Sequence, residues 1–350
     1  MSSEPMWKEA ASRALGSHLF DYLQGRPVDM PAAAIDPNEA ALMRYRLVPR
    51  VLMGHPAIDM STMLLGRRYA APIGVGAFAA DKLFHEGGVT AIGRVCARLN
   101  LPLFVSEEAN TPWREVVDSG ADCWLQIRGA GPVSRAISLA EAALTAGAYG
   151  IVLTVLAPAH PTPGMRPGGV DVAAEIATRG WSTIGASEGV APLPALPAWG
   201  LAEVSALADA VHRKSGKLMV KGVLHPDDAV RVTQAGADAV LVSNIGVRQT
   251  YRWVPSIECV KEVGRALSGR PDIAVVFDGG IRHASDAIVA RVLGAHMSML
   301  VRPVAYALAA DGEHGVETFL TRFIGEMSAL CVWLGVADLS QLNVDHVMHV

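Results

Sequence analysis

Eight short apolar runs recur along this chain at intervals of a few tens of residues, separated by alanine-rich stretches of helical period. No other feature restricts the possible folds as much. The runs are Ile73 to Gly76, Leu103 to Val105, Cys123 to Ile127, Ile151 to Val155, Leu218 to Val220, Ala239 to Val242, Ala274 to Phe277 and Met297 to Leu300. Between them lie Gly88 to Leu99, Val133 to Ala146, Leu201 to Lys214, Pro226 to Ala235, Ser256 to Leu267 and Ala284 to Leu293. Short continuous apolar runs are strands covered on both faces, and strands that alternate with helices form parallel sheets. Eight such units predict an α/β fold of the (βα)8 barrel type. The length of 350 residues, 51% of them hydrophobic, can fill a core of that size. One domain is expected, with an N-terminal helical and extended segment over 1–65, the barrel over 66–310 and C-terminal helices over 311–350.

Composition narrows the partners. A formal charge of -4 provides no basic stripe for a phosphate backbone, so nucleic acid is excluded in favour of small molecules. Cys96, Cys123, Cys259 and Cys331 have neither zinc-site nor disulfide-framework spacing, which suits core thiols in a reducing cytoplasm. Met1 to His18 carries Glu4, Lys8, Glu9 and Arg13 among apolar residues and reads as an amphipathic helix, unlike an export signal. Phe319 to Val336 is interrupted by Arg322 and Glu326, which are costly in a bilayer and ordinary on a half-solvated helix.

Barrels of this kind place their binding and catalytic groups at the C-terminal ends of the strands. Ser106, Gln126, Arg128, Thr154, Lys221, Ser243, Asp278 and Arg302 each stand at or near the end of an apolar run. Asp278-Gly279-Gly280-Ile281-Arg282 pairs glycines, which let backbone amides approach an anion, with a forked cation, and Arg302 adds a second cation after the eighth strand. Together they suit a cofactor phosphate. Lys221 would carry its ammonium to the barrel mouth, where it can stabilise negative charge. The Pro-, Gly- and Ala-rich segment Arg166 to Gly200 is too long for an ordinary loop after the fourth strand, and is read either as an active-site lid or as a disordered insertion.

Ser243-Asn244-Ile245-Gly246-Val247-Arg248-Gln249 resembles the Ser-Asn-His-Gly-Gly-Arg-Gln signature of the FMN-dependent α-hydroxy acid oxidases and dehydrogenases, the glycolate and lactate oxidase family. Tyr45 to Gly66, Val220-Lys221-Gly222-Val223 and Asp278 to Ala310 resemble the same family, and the register holds from about Phe20 to near the C-terminus. The resemblance implies FMN contacts at Ala77, Phe78, Ala79, Ser106, Gln126, Thr154, Lys221 and Ser243. It places the phosphate near Asp278, Gly279, Gly280, Arg282, Val301 and Arg302. Two of these depart from the family pattern, Val301 standing for Gly and Ala77-Phe78-Ala79 for Pro-Thr-Ala. The substrate carboxylate would meet Tyr22, Arg166 and Arg248, and the family hints at a homotetramer.

The larger departures surround the chemistry. Ile245 occupies the position of the histidine base, Leu156 that of the aspartate which orients it, and Arg128 that of a tyrosine. An aspartate left without its histidine would be a buried unpaired charge costing several kcal/mol, on the order of 3–5, so joint loss is coherent. Losing a general base forfeits roughly 10²- to 10⁴-fold in rate. Three routes stay open: a substitute base, with His225 and His160 as the histidines near the catalytic face; a substrate that needs no strong base, such as an amine, with Arg128 suited to a more anionic acid; or non-redox use of the flavin, as in FMN-dependent isomerases. A helix-capping role competes with catalysis for His225. Tyr251 and Trp253 are read as pocket wall or lid packing, His85 and His283 as structural, and Met297 and Met299 as barrel filling. The expected activity is oxidation of an unusual anionic 2-hydroxy or 2-amino acid without the usual histidine; the alternatives are the isomerase and a flavin- or acid-binding protein without turnover.

Overall fold

The computed structural model describes residues 4–54, 57–156, 170–187 and 199–350. The N-terminal segment wraps the barrel before it begins. Helix α1 (Glu4–Gln24) runs beyond the expected His18 and bends at Gly16, whose positive φ of 70° no helix accommodates. Helix α2 (Pro37–Leu42) starts on a proline and is capped by Asp36, whose side chain accepts the Asn38 N–H. Strand β1 (Tyr45–Leu47) follows, then the hairpin β2 (Thr62–Leu64) and β3 (Arg67–Tyr69).

The next eight strands close the barrel: β4 (Ile73–Val75), β5 (Pro102–Ser106), β6 (Asp122–Arg128), β7 (Gly150–Thr154), β8 (Lys217–Val223), β9 (Ala239–Val242), β10 (Ala274–Asp278) and β11 (Met297–Leu300). Each pairs in parallel with its neighbours, and β11 pairs with β4 to complete the circuit. All eight apolar runs are therefore strands. Inside, Leu64 and Tyr69 of the hairpin plug the lower end and pack with Phe104, Trp124, Val152, Met219, Leu241, Val276, Met297 and Met299, so the two methionines do fill the barrel. A second apolar layer lies between the strands and the outer helices α3 (Gly88–Leu99), α4 (Trp113–Asp118), α5 (Val133–Thr145), α8 (Leu201–Arg213), α9 (Pro226–Gln234), α10 (Ser256–Ala266) and α11 (Ala284–Val292), with the short α6 (Val172–Thr178) and α7 (Ile184–Ser187) above the mouth.

The C-terminal region differs from the helices expected over 311–350. Helix α12 (Arg302–Trp333) begins directly after β11, kinks at Asp311 and Gly312, and packs on α1, with the Phe20 and Tyr306 rings 5.8 Å apart. Beyond it come two single turns and strand β12 (Val347–His349), which pairs antiparallel with β1. The edge of a three-residue strand is too short to have shown as a pattern. No described helix is long and apolar enough to cross a membrane.

Strand register sets the site. Ser106 pairs with Gln126, Arg128 with Thr154, and Thr154 with Lys221, so four adjacent strands present their polar residues in one row at the mouth.

Candidate active site

The mouth holds a cavity of about 670 Å³. Seventeen of the residues expected from sequence line it: Tyr22, Ala77, Phe78, Ala79, Ser106, Gln126, Arg128, Thr154, Lys221, Ile245, Arg248, Asp278, Gly279, Gly280, Arg282, Val301 and Arg302. Ser243 does not; it is fully buried and its hydroxyl accepts the Ile245 N–H at 3.1 Å, so it shapes the turn beneath the cavity. His225 is also elsewhere. It caps α9, its Nδ1 accepting the Asp227 N–H at 3.2 Å, with the side chain 66% exposed. His160 and Arg166 lie outside the described residues. Tyr251 and Trp253 are not among the lining residues; the Tyr251 N–H is held by Asp29 at 3.2 Å, which makes this segment a packing element. Accordingly, His225→Ala is expected to leave flavin reduction unchanged and to cost about 1 kcal/mol through the lost cap, read from urea unfolding.

At one end stand Lys221 and Asp278, both under a tenth exposed and joined as an ion pair, with Asp278 Oδ1 left without a protein partner. Gly279 and Gly280 turn there at φ of 121° and 79°. A side chain on Gly280 would run into Asn38 Cβ at 2.6 Å and the Asn38 backbone at 2.7–3.0 Å, so glycine is required for both conformation and space. Val301 fills the room beside Gly76, where an added carbon would meet its Cγ2 at 2.7 Å. Arg282 pairs with Glu39 at 2.7 Å and Arg302 with Asp36 at 2.8 Å, both carboxylates coming from the start of α2. Burial alone would push the Arg302 pKa down, yet Asp36, Tyr306 and Glu39 together outweigh it and raise the guanidinium above its usual value.

The other end centres on Arg248 and Tyr22. Arg248 lies 4.8 Å over the Tyr22 ring and donates to the Tyr22 carbonyl at 3.1 Å. Among the described residues it has no carboxylate partner. Burial lowers its pKa, opposed by Tyr22, while burial raises the Tyr22 phenol, so an arriving anion would be welcome to both. Tyr22 stacks on Phe84 at 6.1 Å and Phe84 meets Phe78 at 5.9 Å, an aromatic wall continued by Val170, Ile176 and Trp181. The last three belong to the segment after β7. Its described part, 170–187, folds as α6 and α7 over the cavity and is docked by Ile184 N–H on Ala109 O at 3.0 Å and Gly185 N–H on Glu107 O at 3.0 Å. That part forms a lid, and is not a disordered insertion.

Several functional neighbours escaped sequence reasoning. Asn38 and Asn244 exchange side-chain amide hydrogen bonds at 2.9 and 2.8 Å, and Asn38 Oδ1 also accepts the Ser256 N–H at 3.0 Å. This buried network, 206 residues apart in sequence, ties α2 to the signature strand. Glu107 and Glu108 line the cavity. Glu107 is buried against Arg135, and burial pushes its carboxyl upward against the pull of that arginine. Glu108 sits 3.4 Å from Arg128, so the third cation expected to favour a more anionic acid is already compensated. The signal was present as two adjacent glutamates directly after a strand-end serine.

Ile245 lines the cavity as an apolar group. Its φ of 54° and the 55° of Val247 are left-handed conformations that cost β-branched residues about 1–2 kcal/mol each. Leu156 packs against the Gly222 backbone and is not a lining residue.

Residues 11–349 match the FMN-dependent dehydrogenase family. The chain belongs to that family. A 4-hydroxymandelate oxidase of Amycolatopsis orientalis is 31% identical over 89% of this chain and 88% of its own length. A peroxisomal (S)-2-hydroxyacid oxidase of Arabidopsis thaliana is 30% identical over 97% of this chain and 94% of its own. The crystal structure of a mandelate oxidase superposes with a TM-score of 0.83 at 28% identity, covering 97% of this chain and 96% of that one. As a family member the protein is an FMN-dependent oxidoreductase, and the cavity fits the cofactor. The Gly279-Gly280 turn with Arg282 and Arg302 suits the phosphate, and the buried Lys221 and the unpartnered Asp278 Oδ1 suit a polar ring and chain. When bound, FMN supplies a two-electron acceptor.

Proposed function

We propose that this protein oxidises a 2-hydroxy acid with an aromatic or bulky apolar side chain, and that it does so without the histidine base of its family. The observation that carries the reading is Arg248, a half-buried cation without a carboxylate partner among the described residues, set against the Tyr22, Phe84 and Phe78 wall. A guanidinium binds a carboxylate through two parallel hydrogen bonds, which fixes the acid, and the apolar wall and lid take its side chain. With Arg128 offset by Glu108, one carboxylate is the charge that the described cavity accommodates. The mandelate and 4-hydroxymandelate oxidases among the relatives support the same substrate class.

The test is anaerobic bleaching of the FMN-loaded protein by mandelate, lactate and glycolate. Mandelate is expected to reduce the flavin most efficiently. Arg248→Met should abolish the response at equal flavin content, and bleaching that survives the change would overturn the role of Arg248. No bleaching by any 2-hydroxy acid would favour a binding protein without turnover. Ile245→His is expected to leave the rate within about threefold of the parent, because Leu156 offers no carboxylate to orient a new imidazole. A large gain in mandelate reduction from that single change would contradict this.

A further inference from the structure

We propose that Glu108 takes the place of the absent histidine, accepting the proton of the substrate 2-hydroxyl with Arg128 beside it. This rests on the reading of the protein as a 2-hydroxy acid oxidase.

The other acidic groups lining the cavity are already engaged. Glu107 is 3% exposed and has both oxygens engaged, Oε1 by the Arg128 N–H at 2.7 Å and Oε2 by Arg135. Asp278 is committed to Lys221. Asp171 caps α6 through the Ala174 N–H at 3.2 Å. Glu108 differs from all three. Its side chain is 37% exposed, and its contact is the Arg128 guanidinium at 3.4 Å, looser than a well-made charged hydrogen bond. Such a pair can open to admit a hydroxyl without stranding a buried charge.

Its backbone is nevertheless fixed from two sides, the N–H donating to Ser106 Oγ at 3.1 Å and the carbonyl accepting from Ala80 N–H at 3.0 Å. The carboxylate is therefore loosely paired on a rigid mount just past β5. It also shares its space with the acid clamp, because the Tyr22 hydroxyl feels the charges of Arg248, Glu108 and Arg128 together. An acid held on Arg248 places its C2 substituent in that neighbourhood. On the signature strand Ile245 offers no group that titrates, so the proton has to leave on another side.

The step balances. The O–H bond breaks and its proton passes to the Glu108 carboxylate. The C2–H bond breaks, and FMN, when bound, would supply the two-electron acceptor for the hydride. The oxygen electron pair forms the C2=O bond of the 2-keto acid. The substrate is thereby oxidised by two electrons, and Glu108 returns its proton to solvent. Arg128 donates toward the developing carbonyl oxygen and pairs again with Glu108 between turnovers.

The deciding experiment is stopped-flow anaerobic reduction of the FMN-loaded protein by mandelate across pH, with E108Q and E108D. Wild type is expected to lose rate toward acid through one ionisation. E108Q should reduce its flavin about 10²- to 10⁴-fold more slowly, without that ionisation, and with a mandelate Kd within about fivefold of wild type. E108D should keep the ionisation and an intermediate rate. Reduction of E108Q within about threefold of wild type, or a loss confined to Kd, overturns the proposal. Should E108Q not retain flavin, the wild-type profile decides, and a pH-independent rate overturns it. If wild type holds FMN but neither mandelate nor lactate bleaches it, the hydroxy acid reading fails and the role of Glu108 falls with it. Bleaching of wild type and E108Q alike removes only Glu108.

Discussion

A Lys221→Met protein is expected to lose its FMN on desalting and to be less stable by about 3–5 kcal/mol, the usual loss when one partner of a buried ion pair is removed. Lys221 and Asp278 are 8% and 5% exposed, and Asp278 Oδ1 already lacks a protein partner, so deleting the ammonium strands a carboxylate in the barrel mouth. The change acts on two readouts. Urea unfolding reports the stranded charge, and flavin absorbance after desalting reports the missing cation. Adding Asp278→Asn should restore much of the stability, because it removes the unpaired charge, but none of the flavin retention attributed to Lys221. Retained flavin together with an unchanged unfolding midpoint would show that this pair does not hold the cofactor end of the cavity.

Arg135→Ala is expected to cost a similar amount, about 3–5 kcal/mol, for the same reason at a different place. The Arg135 and Glu107 side chains are 8% and 3% exposed, and the pair braces the floor beneath Glu108. Without the arginine, burial pushes the Glu107 carboxyl further above the usual carboxylate range than it already is. A carboxyl raised in the folded state takes up its proton before that of the unfolded chain does, so stability falls as pH rises through that window and recovers on acidification. The deficit of Arg135→Ala should therefore shrink between neutral and mildly acidic pH. A loss independent of pH would point to packing instead of charge. Since Glu107 Oε1 holds the Arg128 N–H at 2.7 Å, the variant should also slow flavin reduction.

The barrel was legible because its strands are buried on both faces, which leaves continuous apolar runs that local pattern reveals. Six of the helices begin at the residues their period predicted, Gly88 and Leu201 among them. The strand-end polar residues were legible by position, since a parallel barrel puts every strand end on one face. Ser243 was the exception, because the strand turns inward there and its hydroxyl serves the Ile245 amide. His225 looked catalytic by the same positional logic, but it stands where a helix starts, and its ring satisfies a backbone donor.

What sequence reasoning missed comes from long-range pairing. Asp36 and Glu39 carry no signal in the local sequence, yet they pair with Arg302 and Arg282 across separations as long as 266 residues. Glu108 carries no local signal beyond its place after a strand-end serine. Only the closing of β5 against β6 brings it to Arg128, and only the return of α1 brings Tyr22 and its aromatic neighbours to the same space.

The sequence by itself determined the barrel and the family, since periodicity and adjacent motif residues are local properties. The tertiary structure decided which charges are paired with carboxylates and which are not. Pairing energy depends on distance and burial, and neither is written in the order of residues: Arg128, Arg282 and Arg302 meet carboxylates from remote segments, while Arg248 has no carboxylate partner among the described residues.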